Sequence, residues 1–266
     1  MKEVYFDTEI YAQLCSRHSG ITDSDVERLM RSVQSDKVRV YLSSAVLDET
    51  VSDPNANEAE VLRRLRLIRR IAKRKIILKE STAIIDDTIS TYAKQGRVPS
   101  FFMSPPPYFK PVLSGQTREA SQQLEALATE SQRRIKERKA STEQLFKALA
   151  SVENNGNVNS EQSRSALNAI INHVGAKSDC DDKCLDELLQ IRAMRAITSS
   201  LLSQNNTSAN TDAAELRSDL RHHLLCGSAI GTLVTPNPSL FVGSDRLPID
   251  GLEIIELSTL LADVPS

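Results

Sequence analysis

Short β-rich runs alternate with amphipathic helical stretches through the first 95 residues and again after residue 212, and this order restricts the fold more than any other feature. Alternation of this kind calls for a parallel sheet with crossover helices on its faces. Glu3-Val4-Tyr5-Phe6 reads as a strand that stops at Asp7-Thr8, followed by a helix with Ile10 and Leu14 on one face. Thr22-Asp23-Ser24-Asp25 pairs a cap residue with an acid three positions later, which predicts a helix start and a helix to about Ser35. Residues 38–42 form a second strand, and Ser43-Ser44 can cap the helix that follows over residues 45–52. Asp53-Pro54-Asn55 breaks that helix, and a longer one reaches about Lys73. Ile76-Ile77-Leu78 gives a third strand, and a helix runs from Thr82 to Gln95. A helix from Asp212 to about Gly227, a strand at Thr232-Leu233-Val234 and a fifth strand over residues 253–257 resume the pattern.

The middle of the chain breaks this rhythm. Residues 97–116 hold five of the ten prolines (Pro99, Pro105, Pro106, Pro107, Pro111), so an extended crossing segment with polyproline II character is expected. From Thr117 to about Asn210 the sequence reads as all helix, interrupted at Asn154-Asn155-Gly156-Asn157 and between Gly175 and Asp179. The expected organisation is therefore an α/β domain from residues 1–98 and 212–266, with residues 99–211 as a Pro-rich crossover and helical insertion. Neither an internal repeat nor a sustained heptad pattern is present. Charge is nearly balanced, 33 Lys+Arg against 35 Asp+Glu, which excludes a histone-like polycation but not a local basic patch. No apolar run approaches a membrane span, acids stand where a signal peptide needs an apolar stretch, and four scattered Cys make no disulfide framework. A soluble, cytoplasmic protein with no membrane partner is expected.

In an open parallel sheet, ligands bind beyond the carboxyl ends of the strands. Asp7 ends strand one, Glu49 lies in the helix leaving strand two, Asp219 lies in the helix entering strand four, and Asn237 follows strand four. Acids gathered on one edge repel one another unless protonated or bridged by a cation. Mg²⁺ or Mn²⁺ suits such an oxygen-rich edge, since hard cations take oxygen ligands.

Four stretches resemble the PIN-domain nuclease family. They are Val4-Tyr5-Phe6-Asp7-Thr8, then Leu42 to Glu49, then Asp219-Leu220-Arg221-His222, which is similar to that family's Asp-x-x-His helix. The last, Thr232 to Phe241, resembles its Thr-x-Asn/Asp-x-x-x-Phe strand and loop. The resemblance implies a PIN-like three-layer α/β/α fold with a central parallel sheet, to which the all-helical insertion is an addition. It also implies a Mg²⁺- or Mn²⁺-dependent endoribonuclease, toxin-like or RNA-processing, with Asp7, Glu49 and Asp219 as acidic metal ligands. Asn237 stands where many members have a fourth Asp, giving a site with one charge fewer. Thr8, Thr235 and His222 would lie around the ligands and orient them or water. Phosphodiester hydrolysis by a metal-bound hydroxide needs no protein nucleophile, and neither a Gly-x-Ser-x-Gly nor a phosphate-binding Gly-x-x-x-x-Gly-Lys sequence is present.

From Arg63 to Lys75, eight of thirteen residues are Lys or Arg with no acid among them. Arg63, Arg66, Arg70 and Lys73 or Arg74 recur at helical spacing, either as a solvated face or as a phosphate-binding one. Phe101-Phe102-Met103 and Pro107-Tyr108-Phe109 can stack bases, but the favoured role is to anchor the crossover on the core. Cys180 and Cys184, with His173 upstream, fit a helix start better than a zinc site. RNA is the expected partner and DNA the alternative, with a protein partner or inhibitor on the insertion and homodimer formation left open. A PIN-like scaffold that has lost catalysis and works by partner binding is the rival of a different class.

Overall fold

The computed structural model describes residues 1–16, 21–72, 76–81, 83–84, 87–88, 91, 97–114, 123–150, 193, 222–238 and 249–263. Asp219, Lys73, Arg74, the Cys180/Cys184 stretch with His173, and the helix expected from Asp212 to residue 221 lie outside these residues. Strand β1 (Lys2–Phe6) leads into helix α1 (Thr8–Ser16), α2 (Asp23–Gln34), β2 (Val38–Tyr41), α3 (Ser44–Ser52) and α4 (Glu58–Ile71). Next come β3 (Ile77–Leu78), β4 (Phe102–Met103), a 3₁₀ turn at Pro107–Phe109, α5 (Lys110–Ser114) and the long α6 (Leu124–Ala150). Residues 222–230 are helical (α7), followed by β5 (Thr232–Val234), β6 (Glu253–Ile255) and α8 (Leu257–Asp263).

The main sheet has four parallel strands in the order β2-β1-β5-β6, flanked by helices. Tyr5 stands opposite Tyr41 on one side and Leu233 on the other, so β1 is central. Val4, Tyr5 and Phe6 are all buried, without the in-out alternation of a half-exposed strand, because both sheet faces are covered. The expected start of α2 is present: Thr22 accepts from the Asp25 amide, and Asp25 accepts from the Thr22 amide. Ser43 caps α3, accepting from the amide of Val46 at 3.4 Å. Among the described residues, no helix is long and apolar enough to cross a membrane.

One expectation needs correction. The third strand does not extend the parallel sheet. Ile77–Leu78 pairs antiparallel with Phe102–Met103 and meets β2's end only where the Leu78 amide donates to the Leu42 carbonyl at 2.7 Å. The described part of the Pro-rich segment holds a short strand, a 3₁₀ turn and a short helix, with Pro106 in the polyproline II region at φ −53°, ψ 144°. Its aromatics do anchor it, with Phe101 and Phe109 buried and Tyr41 and Phe102 rings 5.0 Å apart.

The described part of the expected insertion packs on the α/β domain. Over residues 124–150 it is one unbroken helix, α6, and this helix is packed on α3. Helix α3 buries Ala45, Val46, Leu47, Asp48, Thr50 and Val51, nearly its whole circumference. A helix covered on all sides needs a neighbour on its outer face, and α6 supplies it through Leu127, Ser131, Arg134 and Arg138 at helical spacing. Residues 124–150 are thus packed on the α/β core through α3.

Candidate active site at the carboxyl edge of the sheet

Asp7 is the residue after β1 and caps α1. Its Oδ1 accepts from the Glu9 amide at 2.6 Å, and its Oδ2 accepts from the Thr235 hydroxyl at 2.7 Å. Thr235 follows β5, and its own amide donates to the Ile255 carbonyl of β6 at 3.0 Å. The central strands therefore fix the Asp7 carboxylate from both sides. Asp7 is 7% exposed, and burial holds its carboxyl above the usual range, against the opposing pull of His223 and of the two hydrogen bonds. Glu49's charge pushes in the same direction as burial, so the two acids feel one another.

Glu49 projects from α3, the helix that leaves β2. Its Oε2 accepts from the Thr8 hydroxyl and from His223 Nε2, the latter at 3.2 Å. Burial pushes the Glu49 carboxyl up, but the charge and hydrogen bond of His223 and the Thr8 hydroxyl outweigh it and hold it below the usual range. His223 is turned by the other side of its ring: Nδ1 and the Tyr5 hydroxyl share a hydrogen bond of 2.9 Å, and Tyr5 shares another of 2.9 Å with Ser43. The Tyr5 phenol is pushed well above its ordinary range by burial, so it serves as a neutral link. Glu9 also sits close, its carboxyl raised by burial and then by Asp7's charge.

Asp7, Glu49, Thr8 and Thr235 thus meet at the carboxyl ends of β1, β2 and β5. His222 makes its hydrogen-bond contacts with Ser43 and Cys226. Its Nε2 lies 3.3 Å from Ser43 Oγ and 3.3 Å from Cys226 Sγ, behind the site, and its neighbour His223 takes the position facing the acid. Asn237 is exposed just beyond β5, its amide 3.5 Å from Thr235 Oγ1. Arg63, Arg66 and Arg70 are exposed on α4. The charges of Arg64 and Arg63 act on Cys15 in the last turn of α1, eight residues and so about 12 Å of helix away from Asp7.

A third acid was missed from the sequence. Asp48, beside Glu49 and wholly buried, receives Arg138 Nη1 at 2.7 Å and Arg134 Nε at 3.1 Å. Arg134 also reaches Glu80 at 2.5 Å and lies over the Tyr108 ring, 5.2 Å from its centre. Glu80 in turn accepts from the Ser44 hydroxyl at the start of α3.

In donor type, the Asp7 and Glu49 carboxylates fit a hard divalent cation. Among the described residues no group of three His, Cys, Asp or Glu side chains is placed to hold a metal ion. Comparison of the chain with protein-family models, curated proteins and solved structures found no match.

Proposed function

We propose that the chain is a divalent-metal-dependent nuclease of the PIN-like kind, acting on RNA phosphodiester bonds. One observation carries this: two carboxylates, Asp7 and Glu49, converge at the carboxyl ends of neighbouring parallel strands, each oriented by hydroxyl donors (Thr235 and Thr8). That edge is where open α/β sheets bind ligands. In this reading Asp7 and Glu49 hold Mg²⁺ or Mn²⁺ together with Asp219 and Asn237. The bound ion supplies Lewis acidity, lowering the pKa of water and offsetting the charge that develops on the phosphate.

The protein's own groups set up the site. Thr235 and the Glu9 amide fix the two oxygens of Asp7, so its carboxylate presents one geometry. Thr8 and His223 do the same for Glu49, and the Tyr5–Ser43 link holds the His223 ring in place. This outer layer of hydrogen bonds is what keeps ligands preorganised.

The rival reading, a PIN-like scaffold that works by partner binding, is favoured by the neutral Asn237 at the edge. Incubating the purified protein with total RNA, with Mn²⁺ or with chelator, separates the two. Fragments that appear only with Mn²⁺ are expected; intact RNA under both conditions would favour the scaffold.

A further inference from the structure

We propose that Arg138, carried to the site by helix α6, is the residue that binds the substrate's phosphate next to Glu49. This rests on the nuclease reading above and adds to it a substrate-binding residue from outside the α/β domain.

The strand-end crevice is acidic, with Asp7, Glu9 and Glu49 within electrostatic reach of one another. A polyanionic chain approaching it needs a cation at the point of contact, since phosphate neutralisation dominates nucleic-acid affinity. Arg63 and Arg64 of α4 set their charges against Cys15, at the end of α1 away from Asp7. Helix α6 is differently set. The Ser52 hydroxyl, at the end of α3, donates to the Ala128 carbonyl at 3.4 Å, and ten residues later Arg138 meets Asp48, one turn earlier in α3. The two helices therefore run antiparallel, and α6 climbs toward the capped start of α3 and the edge that bears Asp7 and Glu49.

Arg134 and Arg138 share the acids of this face. Arg134 is held by Asp48, Glu80 and the Tyr108 ring. Arg138 holds Asp48 through Nη1, lies 3.8 Å from Glu80, and also sets its charge against Glu49, the residue next to Asp48. It keeps 17% of its side chain exposed, as Arg134 keeps 18%, while Asp48 keeps none. A planar guanidinium carries five N–H groups in a rigid fork, so it can take a phosphate oxygen while its Asp48 pair stays in place. Phosphate bound there would lie beside the cation held by Asp7 and Glu49.

The test is fluorescence anisotropy of a labelled single-stranded RNA oligonucleotide, in chelator and across a range of KCl. Arg138→Gln should weaken binding about tenfold or more and flatten the log–log salt slope by ~0.7, one phosphate contact on a single strand. The Arg63→Gln/Arg66→Gln/Arg70→Gln triple variant should leave both nearly unchanged. If Arg138→Gln does not fold, Arg138→Lys decides: it keeps the charge and the Asp48 pair, so it should retain the slope but bind several-fold more weakly. Wild-type affinity in whichever Arg138 variant folds overturns the proposal, as does a loss confined to the α4 triple variant. Binding needs no cleavage, so the two readings fail separately. Arg138-dependent binding without Mn²⁺-dependent cleavage would sink the nuclease and keep the phosphate site. Cleavage with binding indifferent to Arg138 would do the opposite.

Discussion

Arg138→Met should destabilise the protein by about 1.5–3 kcal/mol at neutral pH, the worth of a hydrogen bond to a charged group, because Asp48 keeps Arg134 Nε at 3.1 Å. Asp48 has no exposed side-chain surface, and Arg138 keeps only 17% of its own, so solvent does little to replace the lost partner. Met fills much of the arginine stem's volume, which isolates the electrostatic loss from a cavity. At about 2–4 °C of Tm per kcal/mol, the drop is roughly 3–12 °C. The pH dependence carries a definite sign. Burial already holds the Asp48 carboxyl above its ordinary range despite Arg138 and Arg134. Without Arg138 it rises further, so the native state binds a proton more tightly than the unfolded chain does. The stability tied to that proton is present at low pH and is lost as pH rises through the native value. The penalty should therefore be small in acid and full at neutral pH. Thermal and urea unfolding followed by circular dichroism across that range measure it, with the urea midpoint moving at constant slope. Asp48→Asn on top of Arg138→Met should restore part of the loss, since it removes the stranded charge. A penalty under ~1 kcal/mol that does not vary with pH, and no rescue by Asp48→Asn, would refute a buried pair joining α6 to α3.

Three further substitutions probe the packing and the site. Gly227→Ala puts a Cβ 2.8 Å from Leu233 Cβ, an atom fixed to β5, so urea unfolding should show a loss of about 1–3 kcal/mol; unchanged stability would contradict the close packing of α7 on the sheet. Tyr5→Phe removes the hydroxyl that joins His223 and Ser43, which should cost about 1–3 kcal/mol by the same measurement and slow any metal-dependent cleavage; a neutral change in both would remove Tyr5 from the site's support. Asp7→Asn should stabilise the metal-free protein at neutral pH, because burial raises the Asp7 carboxyl and its charge is unfavourable there. Thermal unfolding in chelator should show that gain fading as pH falls and Asp7 protonates, and a gain that grows in acid would reverse the assignment.

Local chemistry made much of the fold readable. Thr22 and Asp25 bracket the start of α2, Ser43 caps α3 and Asp53-Pro54 ends it, each through contacts within a few residues. Asp7 and Glu49 were legible because strand ends are where such sheets place ligands. Long-range choices were not legible. Nothing local to Ile77–Leu78 says that it pairs antiparallel with Phe102–Met103, 24 positions away by the register of Leu78 with Phe102. Which of His222 and His223 faces Glu49 depends on helix phase, and one residue turns the side chain by about 100°. The dependence of α3 on α6 was hidden in the same way: Asp48 looked like one more helix acid until α6 brought Arg134 and Arg138 to it.

The central claim is that the strand-end carboxylates form a cation site for phosphodiester hydrolysis. Time courses of RNA cleavage with Mn²⁺, run side by side for the wild type, Asp7→Asn and Glu49→Gln with folding checked by circular dichroism, test it most directly. Cleavage by the wild type and its loss by orders of magnitude in both folded variants is the predicted result. Equal cleavage by all three, or none by any, would contradict it.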